Sequence, residues 1–237
     1  GIAVMVDGRR YFVGKRALRQ SPEARQTLDT AKVGDIDQRI QFYAAASELI
    51  KTTVEDVVVI TGLPVAGYNA SKKKALRDVL AGEHVVEREG KWTRTFRVDD
   101  VHILPQGIGA LYALALDHRG RINGRNRDLL HGRVGIVDVG MLTTNFVLVE
   151  DLQFIEQSSN SITTGIGSVL RSVAKDLKDE YDLDWTQQLG RVDEAVRDRH
   201  VMVYGETRDV SHIVDPLLHD AAEAIVKAAQ SLPGWGS

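Results

Sequence analysis

Apolar and polar residues follow two different periods along the chain, and the change of period predicts alternating strands and helices. Ile2–Val6 and Tyr11–Val13 flank Asp7-Gly8, which is typical of a tight β-hairpin turn. Arg39–Lys51 places apolar residues three and four positions apart, so it predicts an amphipathic helix. Val57–Ile60 is a continuous β-branched run, which is typical of a strand buried on both faces of a parallel sheet.

The rest of the chain continues this alternation. The sequence predicts a loop with a short helix over Arg16–Arg25, a capped helix over Lys72–Leu80, a second hairpin around Gly90-Lys91, a short buried strand at Val101–Leu104, and a helix that Pro105 opens and that runs from Gln106 to about Leu116. Further strands are predicted at Val134–Val137, Asn145–Val149, Phe154–Gln157 and Val201–Tyr204, with helices in Ile162–Leu177, Glu180–Arg199 and His212–Ala229. Hairpins among alternating strands and helices predict an α/β fold with mixed sheets.

Composition narrows the class of protein. The chain has 237 residues, of which 43% are hydrophobic and 27% charged, as in ordinary globular proteins. Its net charge of −3 lacks the basic excess of a general nucleic-acid binder, and we expect no direct sequence-specific nucleic-acid binding either. No apolar stretch approaches the roughly 18 residues of a membrane helix, so no membrane partner is expected. Cysteine is absent, which excludes thiolate chemistry and favours a cytoplasmic protein.

The segment from Asp138 to Thr144 carries the clearest chemistry. Asp138 follows a predicted strand, Gly140 comes two residues later, and Thr143 and Thr144 precede the next strand. A glycine lets a phosphate approach the backbone, hydroxyls and backbone N–H groups suit phosphate oxygens, and a carboxylate suits Mg²⁺ through water. An ordinary polar hairpin turn is the alternative for this segment alone.

Two other segments support a nucleotide site. Thr163–Ser168 contains Gly165 and Gly167 and opens a predicted helix, where backbone N–H groups can bind an anion. Leu104–Gly107 follows a predicted strand and contains Gln106. The alternatives are a plain capped helix start for the first segment and a solvated glutamine for the second.

In this order the three segments resemble those of the actin-like ATPases, in the superfamily of actin, heat-shock chaperones and sugar kinases, and most nearly the ParM/StbA plasmid-segregation proteins. The resemblance extends to Val58–Val65, which is similar to a family strand ending in a Leu-Pro turn, and to the basic helix Asn69–Arg77. It implies an actin-like fold of two lobes with ribonuclease-H-like mixed sheets. We expect one partial lobe in residues 1–115 and the other in residues 116–237.

The resemblance also implies roles for particular residues. Gln106 would orient the water that attacks ATP, and Asp138 would hold Mg²⁺ through water. The β- and γ-phosphates of ATP would be cradled by Gly140, Thr143 and Thr144. The nucleotide would be approached by Gly165 and Gly167. These residues are therefore expected to line one cleft between the lobes.

The chain also departs from the family pattern. We find neither the first Asp-x-Gly phosphate hairpin nor the C-terminal Gly-Gly adenosine turn, and no acidic residue in Ser161–Ser168. We therefore expect a fragment, truncated at both ends, that does not pellet with Mg-ATP, whereas a complete version would form head-to-tail filaments and use a DNA-binding adaptor. The alternatives are a small-molecule kinase or acid hydrolase of the same superfamily, and a non-catalytic scaffold.

Overall fold

The chain divides into two units, residues 1–105 and residues 106–237, and each is described by itself. A computed structural model describes residues 2–20, 35–52, 54–88 and 90–236. The division falls ten residues before the one expected from the sequence. Helix α4 (Ile108–Ala115) lies in the second unit, because the turn before it, at Gly107, packs against Ile136 and Val147 of that unit.

The first unit contains a five-stranded sheet. Its strands are β1 (Ile2–Val6), β2 (Arg9–Val13), β3 (Val54–Leu63), β4 (Gly82–Arg88) and β5 (Trp92–Pro105), in the order β2-β1-β4-β5-β3. Only the pairing of β3 with β5 is parallel among these strands, so the sheet is mixed as predicted. The helices of this unit are α1 (Lys15–Gln20), α2 (Ile36–Leu49) and α3 (Ala70–Leu80). The later part of the predicted Arg16–Arg25 stretch, from residue 21 on, lies outside the described residues.

Local signals explain where these helices and turns begin. Asp35 caps α2 by accepting a hydrogen bond from Gln38 N at 2.9 Å, and Asn69 caps α3 by accepting one from Lys72 N at 3.0 Å. Asp7 and Gly8 both have positive φ angles of 51° and 73°, as the predicted hairpin turn requires. Both helices pack on a core that includes Phe96.

The predicted burial of Val57–Ile60 on both faces is wrong. Val58 is 59% exposed and Ile60 is 69% exposed, whereas Leu63 at the end of the same strand is buried. Strand β3 lies at the edge of the sheet, and these two side chains alternate with half-buried Val57 and Val59. A β-branched run therefore marked the strand correctly, but it did not reveal that this sheet buries only one face, since the interior strands β4 and β5 also alternate between buried and exposed residues.

The second unit is built around strand β7 (Thr144–Glu150). It pairs antiparallel with β6 (Arg133–Val139), β8 (Gln153–Phe154) and β9 (Asn160–Ile162). The other elements are α5 (Ile166–Tyr181), α6 (Leu189–Asp198), a hairpin of β10 (His200–Val203) and β11 (Glu206–Asp209), and α7 (Ser211–Gln230). Residues 144–149 of β7 are all buried, so this strand forms the centre of the sheet.

Several predicted boundaries change. Val101–Leu104 is the end of the long strand β5 and not a separate strand, and Pro105 closes that strand instead of opening a helix. The following helix begins at Ile108, because Gly107 has a φ of 95° and turns the chain. Asp138 lies within β6 and not in the turn after it. Strand β11 had no sequence signal, since all four of its residues are polar and exposed.

No helix among the described residues is long and apolar enough to cross a membrane.

Candidate functional site

The turn that joins β6 to β7 is tight and has a defined backbone geometry. Gly140 N donates a hydrogen bond to Thr143 O at 2.9 Å, which closes the turn. A Cβ atom at Gly140 would lie 3.1 Å from that same carbonyl oxygen, so the turn favours glycine there. Asp138 lies at the end of β6, opposite Asn145 in the ladder.

This turn leaves three successive backbone donors unused. The N–H groups of Met141, Leu142 and Thr143 form no hydrogen bond with any residue that the structure describes. The Thr143 hydroxyl and the Asp138 carboxylate are likewise without a partner among those residues. Successive unpaired N–H groups in a turn form an anion-binding concavity, so the turn has the donors that a phosphate needs.

The start of helix α5 is bound to this turn through the backbone. Ile166 N donates to Gly140 O at 3.0 Å, and Gly167 N donates to Met141 O at 2.8 Å. A Cβ atom added at Gly165 would lie 2.6 Å from Gly140 O, and one added at Gly167 would lie 2.6 Å from Met141 O. The two glycines therefore allow two loops to touch, and the turn and the helix start form one local structure.

The two threonines of the turn differ in what they contact. Thr144 is fully buried, and its Oγ1 donates a hydrogen bond to Thr164 O at 2.6 Å. The hydroxyl of Thr143 is the one left without a partner among described residues. Thr144 thus joins β7 to the loop before α5, and this buried hydrogen bond stabilises the position of the turn.

Sequence reasoning missed a second polar contact between the same two segments. Buried Asn145 accepts a hydrogen bond from the hydroxyl of Ser161 at 2.7 Å. One sequence signal was available, since Asn145 is a polar residue inside a run predicted as a buried strand. A polar side chain in such a run is retained where it has a partner.

The structure brings the residues around Gln106 and Asp138 together in one unit. An ideal Cβ atom on Gly107 would lie 3.5 Å from Asp138 Cβ and 3.2 Å from Val147 Cγ2. Gln106, the residue before Gly107, is exposed, and its side chain has no hydrogen-bond partner in the described part of the chain. The unpaired side-chain amide of Gln106 and the unpaired carboxylate of Asp138 thus lie on two segments that contact each other.

The side chains near this turn can be compared with the ligands that Mg²⁺ prefers. Within the described ranges, no three His, Cys, Asp or Glu side chains are grouped so that they could hold a metal ion. Mg²⁺ is commonly held by one or two carboxylates together with phosphate oxygens and water. The single unpaired carboxylate of Asp138, beside a turn with unpaired N–H groups, fits that mode of binding.

Two family models together match most of the chain. Residues 1–109 match the family model described as the N-terminal domain of actin-like proteins. Residues 136–236 match the family model described as the C-terminal part of the MreB-like archaeal actin homologue. No curated protein matches the chain.

Solved structures with the same fold span more than this chain does. The crystal structure of Ta0583, an archaeal actin homologue, superposes on 98% of this chain and 71% of its own, with a TM-score of 0.74 and 21% identity. Its complex with ADP covers 80% of this chain and 58% of that one, with a TM-score of 0.62 and 24% identity. A 15-stranded ParM filament from Clostridium botulinum covers 98% and 70%, with a TM-score of 0.72 and 19% identity. At identities below 25%, these superpositions show a shared fold and nothing more.

Proposed function

Because this chain belongs to the actin-like proteins, we propose that it binds Mg-ATP at the turn between β6 and β7 and hydrolyses it. The observation that carries the proposal is the set of three unpaired N–H groups at Met141, Leu142 and Thr143, next to the unpaired carboxylate of Asp138. The ADP complex of an archaeal homologue with the same fold supports a nucleotide as the ligand.

Each residue of the turn has a proposed role. The three N–H groups and the Thr143 hydroxyl bind phosphate oxygens, with Gly140 permitting the close approach. Asp138 holds Mg²⁺ through water, and the ion when bound neutralises charge on the phosphates. Thr144 supports the turn through Thr164 O rather than contacting the nucleotide.

Gln106 is proposed to orient the attacking water. A glutamine amide is neither a strong acid nor a strong base, so its contribution is positioning. Gly165 and Gly167 are proposed to lie beside the nucleotide while they hold the turn against α5. This arrangement would place the phosphates and the water within the segments that the structure already brings together.

Self-association is the second part of the proposal. The ParM filament has the same fold, so we propose that this protein is a subunit that joins others head to tail. Plasmid or DNA segregation through an adaptor protein is the cellular role that we propose for such a filament. The nucleotide would be the signal that controls assembly.

The nucleotide proposal is tested by isothermal titration calorimetry of ATP, with Mg²⁺ and with EDTA. We expect ATP to bind more tightly with Mg²⁺, and we expect Asp138→Asn to remove that difference. Thr143→Val should weaken binding with and without Mg²⁺, because it removes a hydroxyl but no charge. Asp179→Asn, an exposed change on α5 away from the turn, is the matched control and should bind as the unmodified chain does. Unchanged Mg²⁺ dependence in Asp138→Asn would refute the assignment.

A further inference from the structure

Positive charge is concentrated in one segment near the start of the chain. The basic residues of positions 8–20 are Arg9, Arg10, Lys15, Arg16 and Arg19, and no acidic residue lies among them. This segment carries a formal charge of +5, whereas the whole chain carries −3. The nearly neutral total therefore hides a strongly basic region, whose own field attracts anions.

The fold places these side chains at one edge of the first sheet. Arg9 and Arg10 begin β2, the edge strand of the five-stranded sheet, and both are exposed. Arg16 and Arg19 lie on α1, which follows β2 after a single residue. We call Arg9, Arg10, Arg16 and Arg19 the arginine patch. Because β2 pairs only with β1 among the described strands, the patch can be approached from the edge of the sheet.

The ring of Phe12 joins the strand and helix parts of the patch. The guanidinium carbon of Arg10 lies 5.0 Å from the centre of this ring, and that of Arg16 lies 4.8 Å from it. Both distances are within the range of cation–π attraction. The half-buried ring thus holds two guanidinium groups near each other, so this part of the patch is ordered before a ligand binds.

The charges of the other two arginines are not offset by a neighbour. Arg9 and Arg19 are exposed, and neither side chain forms a hydrogen bond or ion pair with a residue in the described ranges. Asp7, the acidic residue that precedes the segment, pairs with Arg39 instead. An anion that binds at the patch therefore gains the charge of Arg9 and Arg19 without breaking an existing ion pair.

The composition of the surface favours nucleic acid over other polyanions. Guanidinium groups bind phosphates through two parallel N–H bonds, and four of the five cations in the segment are arginines. Protein interfaces have an apolar centre, and membrane-surface segments insert apolar side chains as well as presenting cations. Among the described side chains of residues 2–20, no large apolar one is exposed, so this surface lacks what either of those partners needs.

We propose that the arginine patch binds the phosphate backbone of double-stranded DNA without sequence preference. The contact is direct, goes beyond the nucleotide site and needs no adaptor. Phosphate contacts position a protein on DNA but do not read its bases, so an absence of sequence-specific binding is compatible with this role. A duplex is favoured over a single strand, because the half-buried Phe12 ring already contacts two guanidinium groups and offers little surface for a stacked base.

The test is fluorescence anisotropy of a labelled duplex of about 30 base pairs, titrated with the 237-residue chain from about 50 to 200 mM salt. Two duplexes of unrelated sequence should bind equally. The double variant Arg9→Gln/Arg19→Gln should weaken binding at about 50 mM salt at least about tenfold. It should also reduce the slope of log affinity against log salt by about 2, because each phosphate contact contributes roughly 0.9. Absence of binding by the unmodified chain, or an unchanged slope in the double variant, would overturn the proposal.

A matched control is available between α4 and β6. Arg119 and Arg127 are also exposed, and neither side chain forms a hydrogen bond or ion pair with a described residue. Arg119→Gln/Arg127→Gln therefore changes the same residue type, the same number of charges and similarly exposed positions. Its affinity for the duplex and its salt slope should equal those of the unmodified chain. An equal loss of affinity in both double variants would contradict the assignment of DNA to the arginine patch.

Competition experiments at constant ionic strength separate the classes of partner. Unlabelled duplex should displace the labelled duplex better than a single strand, poly-glutamate or phosphatidylglycerol vesicles at equal total charge. Equal or better displacement by any of these three would overturn the choice of duplex DNA. Millimolar Mg-ATP should not displace the duplex, and displacement would place the DNA at the proposed nucleotide site instead. Both double variants should bind ATP as the unmodified chain does, so this proposal and the nucleotide proposal fail separately.

Discussion

Gly167 offers a test in which two physical effects have opposite signs. It is the second residue of helix α5, where replacing glycine by alanine ordinarily stabilises a protein by up to about 1 kcal/mol. Here an added Cβ atom would lie 2.6 Å from Met141 O and 2.8 Å from Met141 Sδ. The carbonyl belongs to the backbone of the proposed phosphate turn, so it cannot simply rotate away.

The structure gives the size of the effect. An ordinary contact of roughly 3.5 Å would require the turn and the helix to separate by roughly 1 Å. That movement would break the hydrogen bond from Gly167 N to Met141 O, which contributes about 1 kcal/mol. Overpacking of this kind costs about 1–3 kcal/mol, so Gly167→Ala should lower the free energy of unfolding by about 1–3 kcal/mol after the helical gain.

The assay is urea unfolding followed by circular dichroism, with Gly190→Ala as the control. Gly190 is the second residue of α6, and a Cβ atom added there would meet nothing within 4 Å. Gly190→Ala should therefore leave stability unchanged or raise it by up to about 1 kcal/mol. If Gly167→Ala stabilised the protein as Gly190→Ala does, the packing of the turn against α5 would be refuted.

Three further predictions concern other residues. Gln106→Ala should lower kcat for ATP hydrolysis much more than it weakens ATP binding, because a water-positioning residue acts in the transition state; equal losses in both would contradict this role. A hydrogen bond from Lys178 lowers the pKa of Asp184 from 3.8 to about 2. The interaction of Lys178 with ionised Asp184 therefore stabilises the fold above about pH 4, and this stabilisation is lost as the pH falls toward 2. Asp184→Asn should flatten the pH dependence of urea unfolding in that window, and an unchanged profile would show that the pair does not act this way. Trp235→Phe should lower the free energy of unfolding by about 1–3 kcal/mol, because buried Ser158 loses the donor to its carbonyl oxygen; unchanged urea unfolding would contradict that contact.

Local signals in the sequence predicted the elements that depend on neighbouring residues. The Asp7-Gly8 turn and the Asn69 cap follow from side-chain chemistry within four residues, and both appear in the structure. Strand β11 was missed, because it pairs through its backbone and carries only polar side chains. The exposure of Ile60 could not be predicted, since it depends on which face of the folded sheet carries the core.

The candidate site, too, could be predicted from the sequence only where it depends on neighbouring residues. The spacing of Asp138, Gly140 and Thr143 indicated a turn suited to phosphate, and the structure forms a tight turn there. Whether it binds phosphate remains a prediction. The hydrogen bond from Thr144 to Thr164 O could not be read from the sequence, because twenty residues separate the two groups and only the folded sheet brings them together.

The proposed ATP site depends on phosphate binding by the turn from Gly140 to Thr143. The most direct test is the amide NMR spectrum of the chain, titrated with Mg-ATP to millimolar concentration so that weak binding is observed. The amide resonances of Met141, Leu142 and Thr143 should shift most, and Asp138→Asn should require more nucleotide for the same shifts. Absence of shifts at these three amides, or larger shifts confined to another part of the chain, would contradict the claim.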